Sequence, residues 1–152
     1  MITLINKNEL LSFISALIEK RISNSEEIIR SIEESIHSET KSTAGDKHDT
    51  TRELLHQERD KAAQNHKNQL IKRRTLIQLK NHKYQKKVEF GSLIHTNQGW
   101  VLIGLSIGNI QFRNEEVLCV SPVSPFAKAI EGAVQGECVE FNNTSFVVET
   151  II

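Results

Sequence analysis

The chain has 152 residues, of which 38% are apolar and 25% are charged, a balance that is ordinary for a globular protein. Its formal net charge is zero, which excludes a uniformly basic or uniformly acidic protein. No apolar run approaches the roughly 18 residues that a membrane-spanning helix needs.

The two cysteines, Cys119 and Cys138, lie far apart in apolar, strand-like runs. We predict that both are buried, reduced thiols, although a disulfide between them stays possible. Met1 is followed by a mixed stretch rather than by the basic and then apolar segment of a secretory signal. These features together predict a cytoplasmic protein with no membrane segment.

A first long helix is predicted from about residue 7 to residue 41. Asn6 or Asn8 can cap it, and Ser25 fills one missing step in its apolar stripe. The other positions of the stripe recur every three or four residues and are Leu11, Ile14, Ile18, Ile22, Ile29, Ile32 and Ile36. A helix of this length rises roughly 50 Å, so its apolar stripe needs a partner along most of that distance.

A second long helix is predicted from about Thr50 to Tyr84, a segment that contains no Gly or Pro. Its stripe is weaker, because polar residues alternate with the apolar ones: Leu55, Arg59, Ala62, His66, Leu70, Arg73 and Leu76 or Ile77. Residues 61 to 90 carry nine Lys and Arg against one acidic residue. This basic segment either faces a polyanion or an acidic protein groove, or is a solvated helix face.

The segment of residues 42 to 50 contains the only glycine among the first 90 residues. We predict that it forms the tip of an antiparallel helical hairpin, where Asp46 and Asp49 lie three residues apart. Two interpretations of these aspartates stay open. If Thr50 caps the second helix in a Thr-x-x-Glu box with Glu53, both carboxylates are free in the loop; otherwise Asp46 is the cap and Asp49 the third helical residue.

After Lys87 the composition changes to short strand-like runs separated by turns. The predicted strands cover residues 92–96, 100–105, 117–120, 137–141 and 145–151, with turns at residues 97–99, 108–109 and 142–143. Ser124 is a helix cap, Pro125 suits the first helical position, and Gly132 closes a helix of about two turns. The sequence therefore predicts an α+β protein with a helical hairpin domain (1–87) and a small, mostly antiparallel sheet domain with one short helix (88–152).

Two motifs resemble those of the Gre family of bacterial transcript cleavage factors. The sequence Gly-Asp-Lys-His-Asp at residues 45 to 49 is similar to the family's tip motif, Gly-Asp-x-x-Glu. Residues 124 to 132, Ser-Pro-Phe-Ala-Lys-Ala-Ile-Glu-Gly, resemble the signature of the family's FKBP-like C-terminal domain. The resemblance covers nearly the whole chain, and it implies a coiled-coil hairpin followed by an FKBP-like domain.

The resemblance also implies a partner and a role. A Gre-type factor is a monomer that docks its sheet domain at the rim of the secondary channel of bacterial RNA polymerase and inserts its hairpin towards the active site. The residues that match the family's tip acids are Asp46 and Asp49, which would share Mg²⁺ with the polymerase and stimulate its cleavage of backtracked RNA. The factor is then not itself an enzyme, and it binds no metal independently.

Further contacts with polymerase or RNA are expected from residues beside the two motifs, namely Lys47, His48, Arg52, Ser124 and Pro125. The basic second helix could also reach the nascent RNA 3′ end or DNA. These contacts are hypotheses that rest on the position of each residue relative to the matched motifs.

Three other interpretations stay open. Residues 50 to 53, Thr-Thr-Arg-Glu, stand where the family usually has Asn-Ala-Glu-Tyr, so a channel-binding inhibitor or pausing regulator fits nearly as well. A dimeric coiled-coil adaptor would associate through the isoleucine stripe. Prolyl isomerase activity is disfavoured, because a core this small needs most of the domain's six large aromatic residues: Phe90, Trp100, Phe112, Phe126, Phe141 and Phe146.

Overall fold

A computed structural model describes the backbone of residues 4 to 40 and 46 to 152, and all their side chains except those of Thr40 and residues 46 to 49. The helices in these ranges are α1 (Lys7–Thr40), α2 (Asp46–Lys80) and α3 (Pro125–Ile130). The strands are β1 (Leu93–Thr96), β2 (Gly99–Ile103), β3 (Gly108–Phe112), β4 (Glu115–Val120), β5 (Cys138–Phe141) and β6 (Thr144–Ile151). The chain divides into two compact units, a helical unit of Ala16–Arg73 and a sheet unit of Met1–Ser15 with Arg74–Ile152.

The predicted first helix is confirmed almost to the residue. Of the two candidate caps, Asn6 is the one used, because its Oδ1 accepts the backbone N–H of Glu9 at 3.1 Å. Its apolar stripe is buried at Ile14, Ile18 and Ile22, and Ser25 continues the same buried line.

The second helix begins and ends about four residues earlier than predicted, at Asp46 and Lys80. Thr50 and Glu53 therefore lie inside α2, and the interpretation of these residues as its capping box is wrong. The weak apolar stripe is nevertheless present. Leu76 is buried, Leu55, Ala62 and Leu70 are partly buried, and the alternative position Ile77 is exposed.

Within the helical unit, α1 and α2 run antiparallel. Arg73 pairs with Glu19 at 3.4 Å, and His66 bonds Ser25 at 2.7 Å. Residue numbers on α2 therefore decrease as those of their partners on α1 increase. Ser25 is 2% exposed and its Oγ donates to the Ile22 carbonyl at 2.7 Å. Because that hydroxyl has a single proton, it accepts the bond from the Nδ1–H of His66.

The sheet has the strand order β3-β4-β2-β1-β6-β5. Only β2 and β4 pair in parallel, so the prediction of a mostly antiparallel sheet is confirmed. The turn between β5 and β6 has positive φ at both Asn142 and Asn143, as a tight two-residue hairpin turn requires. Strand β3 was not predicted, because Gly108 and Asn109 were interpreted as a turn.

Helix α3 begins and ends as predicted. The Oγ of Ser124 accepts the backbone N–H of Ala127 at 3.2 Å, Pro125 is the first helical residue, and Gly132 follows with φ +82°. Its apolar side packs on one face of the sheet in a cluster whose strand members are Ile94, Val101, Ile103, Val148 and Ile151.

The other face of the sheet is covered by the beginning of α1 and the end of α2. The rings of Phe13 and Phe112 are 5.5 Å apart, and Arg113 pairs with Glu9 at 2.6 Å. Gly104 lies so close to Leu79 that a Cβ at this glycine would come within 2.5 Å of Leu79 Cδ2. The helices thus take part in the core of the sheet unit as well as in the hairpin.

The two cysteines differ in environment. Both are free, and Cys119 is buried as predicted, but Cys138 is exposed, so its predicted burial is wrong. Cys138 begins β5, which is the last strand at one edge of the sheet, and its neighbours there do not cover it. Burial raises the pKa of the Cys119 thiol to about 12. Among the described residues, no helix is long and apolar enough to cross a membrane.

Candidate functional site

The backbone places Asp46 and Asp49 in the first turn of α2. Their side chains, and those of Lys47 and His48, lie outside the described residues. Positions three apart in a helix are neighbours on successive turns, so the backbone brings the two aspartates to one side of the helix start. Such a position suits acidic residues, because the unpaired amides there carry partial positive charge.

Arg52 lies within two turns of the start of α2 and its side chain is partly buried. Its Nε is buried without a hydrogen-bond partner in the described part of the chain. An unpaired guanidinium donor is costly unless an anion satisfies it. Arg52 is therefore prepared to accept a carboxylate or phosphate partner close to the two aspartates.

The later part of α2 has no acidic residue after Asp60 and carries six cations: Lys61, Lys67, Lys72, Arg73, Arg74 and Lys80. We call these six residues the basic stretch. The pKa of Lys72 is lowered, first by partial burial and then by the positive charge of Arg21 on α1. Both helices thus contribute positive charge near Lys72, and among the described residues Arg73 of the basic stretch pairs with an acid, Glu19.

Carboxylate oxygens are ligands that Mg²⁺ prefers. Two aspartates in one helical turn fit the role of partial ligands, but Mg²⁺ needs six. Within the described ranges, no group of three His, Cys, Asp or Glu side chains is placed to hold a metal ion. The side chains of Asp46 and Asp49 lie outside the residues to which this applies, and two carboxylates alone supply only part of a six-ligand set.

In the sheet unit, Ser124 and Pro125 lie at the start of α3. The hydroxyl of Ser124 is used as the helix cap, so its visible role is to fix the preceding turn. That turn presents apolar groups to solvent: Pro122 and Pro125 are exposed, and Val123 is 71% exposed. The turn is a small apolar surface that a partner protein could cover.

A cleft of about 510 Å³ lies beside α3 on the same face of the sheet. Its apolar lining includes Val101, Leu118 and three phenylalanines. The ring of Phe126 meets those of Phe141 and Phe146 edge-on, at centroid distances of 5.6 and 4.9 Å. Phe126 is buried in the core as predicted, whereas Phe141 and Phe146 are only partly buried. No local motif signals this cleft, because its lining residues come from α3 and all six strands.

Comparisons of the chain with protein-family profiles, with curated proteins and with solved structures found no match.

Proposed function

We propose that this chain is a Gre-type transcription elongation factor that binds bacterial RNA polymerase and inserts its hairpin into the secondary channel. The observation that carries this proposal is the position of Asp46 and Asp49 in the first turn of a 35-residue helix that returns antiparallel along α1. A helix of this length rises roughly 50 Å. It is long enough to bring two carboxylates to a catalytic centre buried inside another protein.

In this proposal the polymerase performs the chemistry and the factor assists it. Asp46 and Asp49 hold Mg²⁺ together with polymerase residues, and the ion supplies stabilisation of the charged oxygens during phosphodiester cleavage. Carboxylates can also accept hydrogen bonds from water, so the same pair can orient a nucleophilic water against backtracked RNA. Lys47 and His48, which lie between them in sequence, are expected to contact polymerase or RNA.

The charges of α2 support a nucleic-acid contact. The unpaired Nε of Arg52 would be satisfied by a phosphate near the tip. The basic stretch offers several cations to the phosphates of the nascent RNA 3′ end or of DNA, a contact that weakens as salt rises.

The sheet domain is proposed to be FKBP-like and to dock at the channel rim. The exposed apolar turn that precedes α3 supports this role, with Pro125 as a contact and Ser124 as the cap that holds the turn in place. The isoleucine stripe supports a monomer. Ile18 and Ile22 are already buried within one chain, so a dimeric adaptor that associates through this stripe would first have to uncover it.

The test uses a purified, backtracked elongation complex whose RNA is labelled at its 5′ end. Addition of the full chain is expected to shorten the RNA, and Asp46→Asn with Asp49→Asn is expected to lower this cleavage rate roughly 10- to 100-fold, as loss of groups that support a metal site does. Binding of the double variant to polymerase should stay within about twofold, since the docking surfaces are unchanged.

A matched control is Glu53→Gln with Glu58→Gln, which removes the same charge from exposed positions further along α2 and should leave cleavage unchanged. Cleavage by the Asp46 and Asp49 double variant at the wild-type rate would refute the metal role. Polymerase binding accompanied by slower elongation, without cleavage, would instead identify a channel inhibitor or pausing regulator. Absence of polymerase binding would refute the whole proposal.

A further inference from the structure

A lysine, a histidine and a glutamate form a continuous polar chain in the sheet unit. The Nζ of Lys7, at the start of α1, lies 3.2 Å from Nδ1 of His82, just after α2. On the other side of the ring, His82 Nε2 lies 2.8 Å from Oε1 of Glu89. The cluster therefore links one amine to one carboxylate through a single imidazole.

The direction of these bonds follows from the donors available. A lysine ammonium can only donate, and a carboxylate can only accept. Consequently Nδ1 of His82 is the unprotonated nitrogen and faces Lys7, while Nε2 carries the proton and donates it to Glu89. This is the arrangement in which an imidazole can accept a proton from the neighbouring group while the carboxylate stabilises the resulting cation.

The ring of His82 is held in place by its surroundings. Its side chain is 9% exposed, and Gly91 lies directly against it with φ +94°. A Cβ at position 91 would come within 2.3 Å of His82 Cγ, so only glycine leaves room for the ring in this position. The imidazole is therefore fixed before any ligand arrives.

Lys7 lines a cavity of about 500 Å³ whose walls include Leu4, Ile5, Tyr84 and Ile152. Leu4 and Tyr84 are more than 60% exposed, so apolar surface is left uncovered beside a polar amine. An apolar chain with a polar reactive end would match this combination. Partial burial also lowers the pKa of Lys7, against an opposing effect of Glu89, and so increases its neutral, nucleophilic fraction.

We propose that Lys7 is a self-acylation site, at which the amine takes an acyl group from an acyl thioester with a short apolar chain. The neutral amine attacks the thioester carbonyl, a C–N bond forms, and the C–S bond breaks. The proton lost by the nitrogen passes to His82 Nδ1, and Glu89 stabilises the imidazolium. The departing thiolate then takes a proton from the imidazolium or from water, which leaves an amide on Lys7 and a free thiol.

The test exposes the full-length chain to the butanoyl thioester of N-acetylcysteamine and measures acylation of each lysine by peptide mass spectrometry. Lys83 is the internal control, because it is exposed and adjacent to His82 in sequence but has no recorded bond to the imidazole. At pH 7.5, Lys7 is expected to react about tenfold faster than Lys83 or more, since a positioned general base contributes at least that much. The ratio of Lys7 to Lys83 acylation should fall as pH rises towards 10.5, the ordinary pKa of lysine, because any exposed amine also becomes neutral there.

Two variants separate catalytic assistance from simple exposure. His82→Gln keeps hydrogen-bonding groups beside Lys7 but cannot accept the proton, so the ratio of Lys7 to Lys83 acylation should fall towards one. Glu89→Gln can still accept a bond from Nε2–H and should lower the ratio by a smaller factor. Thermal unfolding of each variant checks that it is folded. The ratio of Lys7 to Lys83 acylation in the wild-type chain does not depend on this check.

A wild-type ratio near or below one would overturn the proposal, whatever the variants do. A high ratio that stays unchanged in His82→Gln would refute the role of the imidazole. Because no polymerase is present in this experiment, its result is independent of the proposed role in transcription.

Discussion

Removal of the hydrogen bond between Ser25 and His66 is the clearest test of how the hairpin is stabilised. Ser25 occupies a position where an apolar residue would continue the stripe of α1, and His66 occupies the facing position on α2. Substitution Ser25→Ala removes the acceptor and leaves the Nδ1–H of His66 unpaired in a partly buried site. Loss of one partner of a buried hydrogen bond costs about 1–2 kcal/mol of the free energy of unfolding.

The double variant Ser25→Ala with His66→Leu tests whether the loss of stability comes from the unpaired donor of His66. Replacing both partners by apolar groups removes the unpaired donor and adds apolar burial, so the double variant should be more stable than Ser25→Ala alone. Urea unfolding followed by circular dichroism at 222 nm measures the effect. The midpoint should fall by about 0.5–1 M for Ser25→Ala, given the usual dependence of stability on urea, and should recover in the double variant.

Ser35→Ala is a matched control on the same helix. Its Oγ donates to the Ser31 carbonyl one turn earlier, at 3.1 Å, and this bond is exposed. This variant should change stability by less than about 0.5 kcal/mol. A stabilising role for the Ser25–His66 bond is refuted if Ser25→Ala costs no more than Ser35→Ala, or if the effects of Ser25→Ala and His66→Leu simply add.

Three further predictions concern the sheet unit. Gly91→Ala should destabilise the sheet unit by about 2–4 kcal/mol in thermal unfolding, because position 91 has a positive φ and a Cβ there would clash with His82. Gly99 also has a positive φ but faces open space, so Gly99→Ala should cost less in the same assay. Equal costs for the two variants would contradict the clash. In the native protein at pH 8, a thiol reagent should label Cys138 rapidly and Cys119 only after unfolding. Because burial raises the pKa of Cys119 from 9.0 to about 12, its protonated form favours the folded state below pH 9. That stability is lost as pH rises towards 12, by about 2 kcal/mol at pH 10.5, a loss that Cys119→Val should not show.

The helices were predictable where a local signal defined them. The stripe of α1 repeats with helical period and begins next to Asn6, so its bounds followed from the sequence to within a residue. Helix α3 carries a cap, an initial proline and a closing glycine within nine residues. The start of α2 was missed, because a Thr-x-x-Glu pattern at residues 50 to 53 looks the same inside a helix as at its end.

Strand β3 could not be predicted from its own residues. Gly108 and Asn109 are typical of turns, and the only apolar residues of the strand are Ile110 and Phe112. What makes this segment a strand is its pairing with β4, in which Ile110 lies opposite Val117. That pairing buries both apolar residues and leaves the polar ones in solvent, which is a property of the sheet rather than of the segment.

The two candidate sites differ in the same way. Asp46 and Asp49 are three residues apart, so a short pattern is enough to single them out. Lys7 and His82 are 75 residues apart, and neither has a sequence context that distinguishes it from other exposed or core residues. Their chemistry arises only when Gly91 leaves space for the imidazole and Glu89 fixes its tautomer. Reactivity of Lys7 is therefore a consequence of tertiary packing, and a change at Gly91 should remove it without altering any residue that bonds the amine.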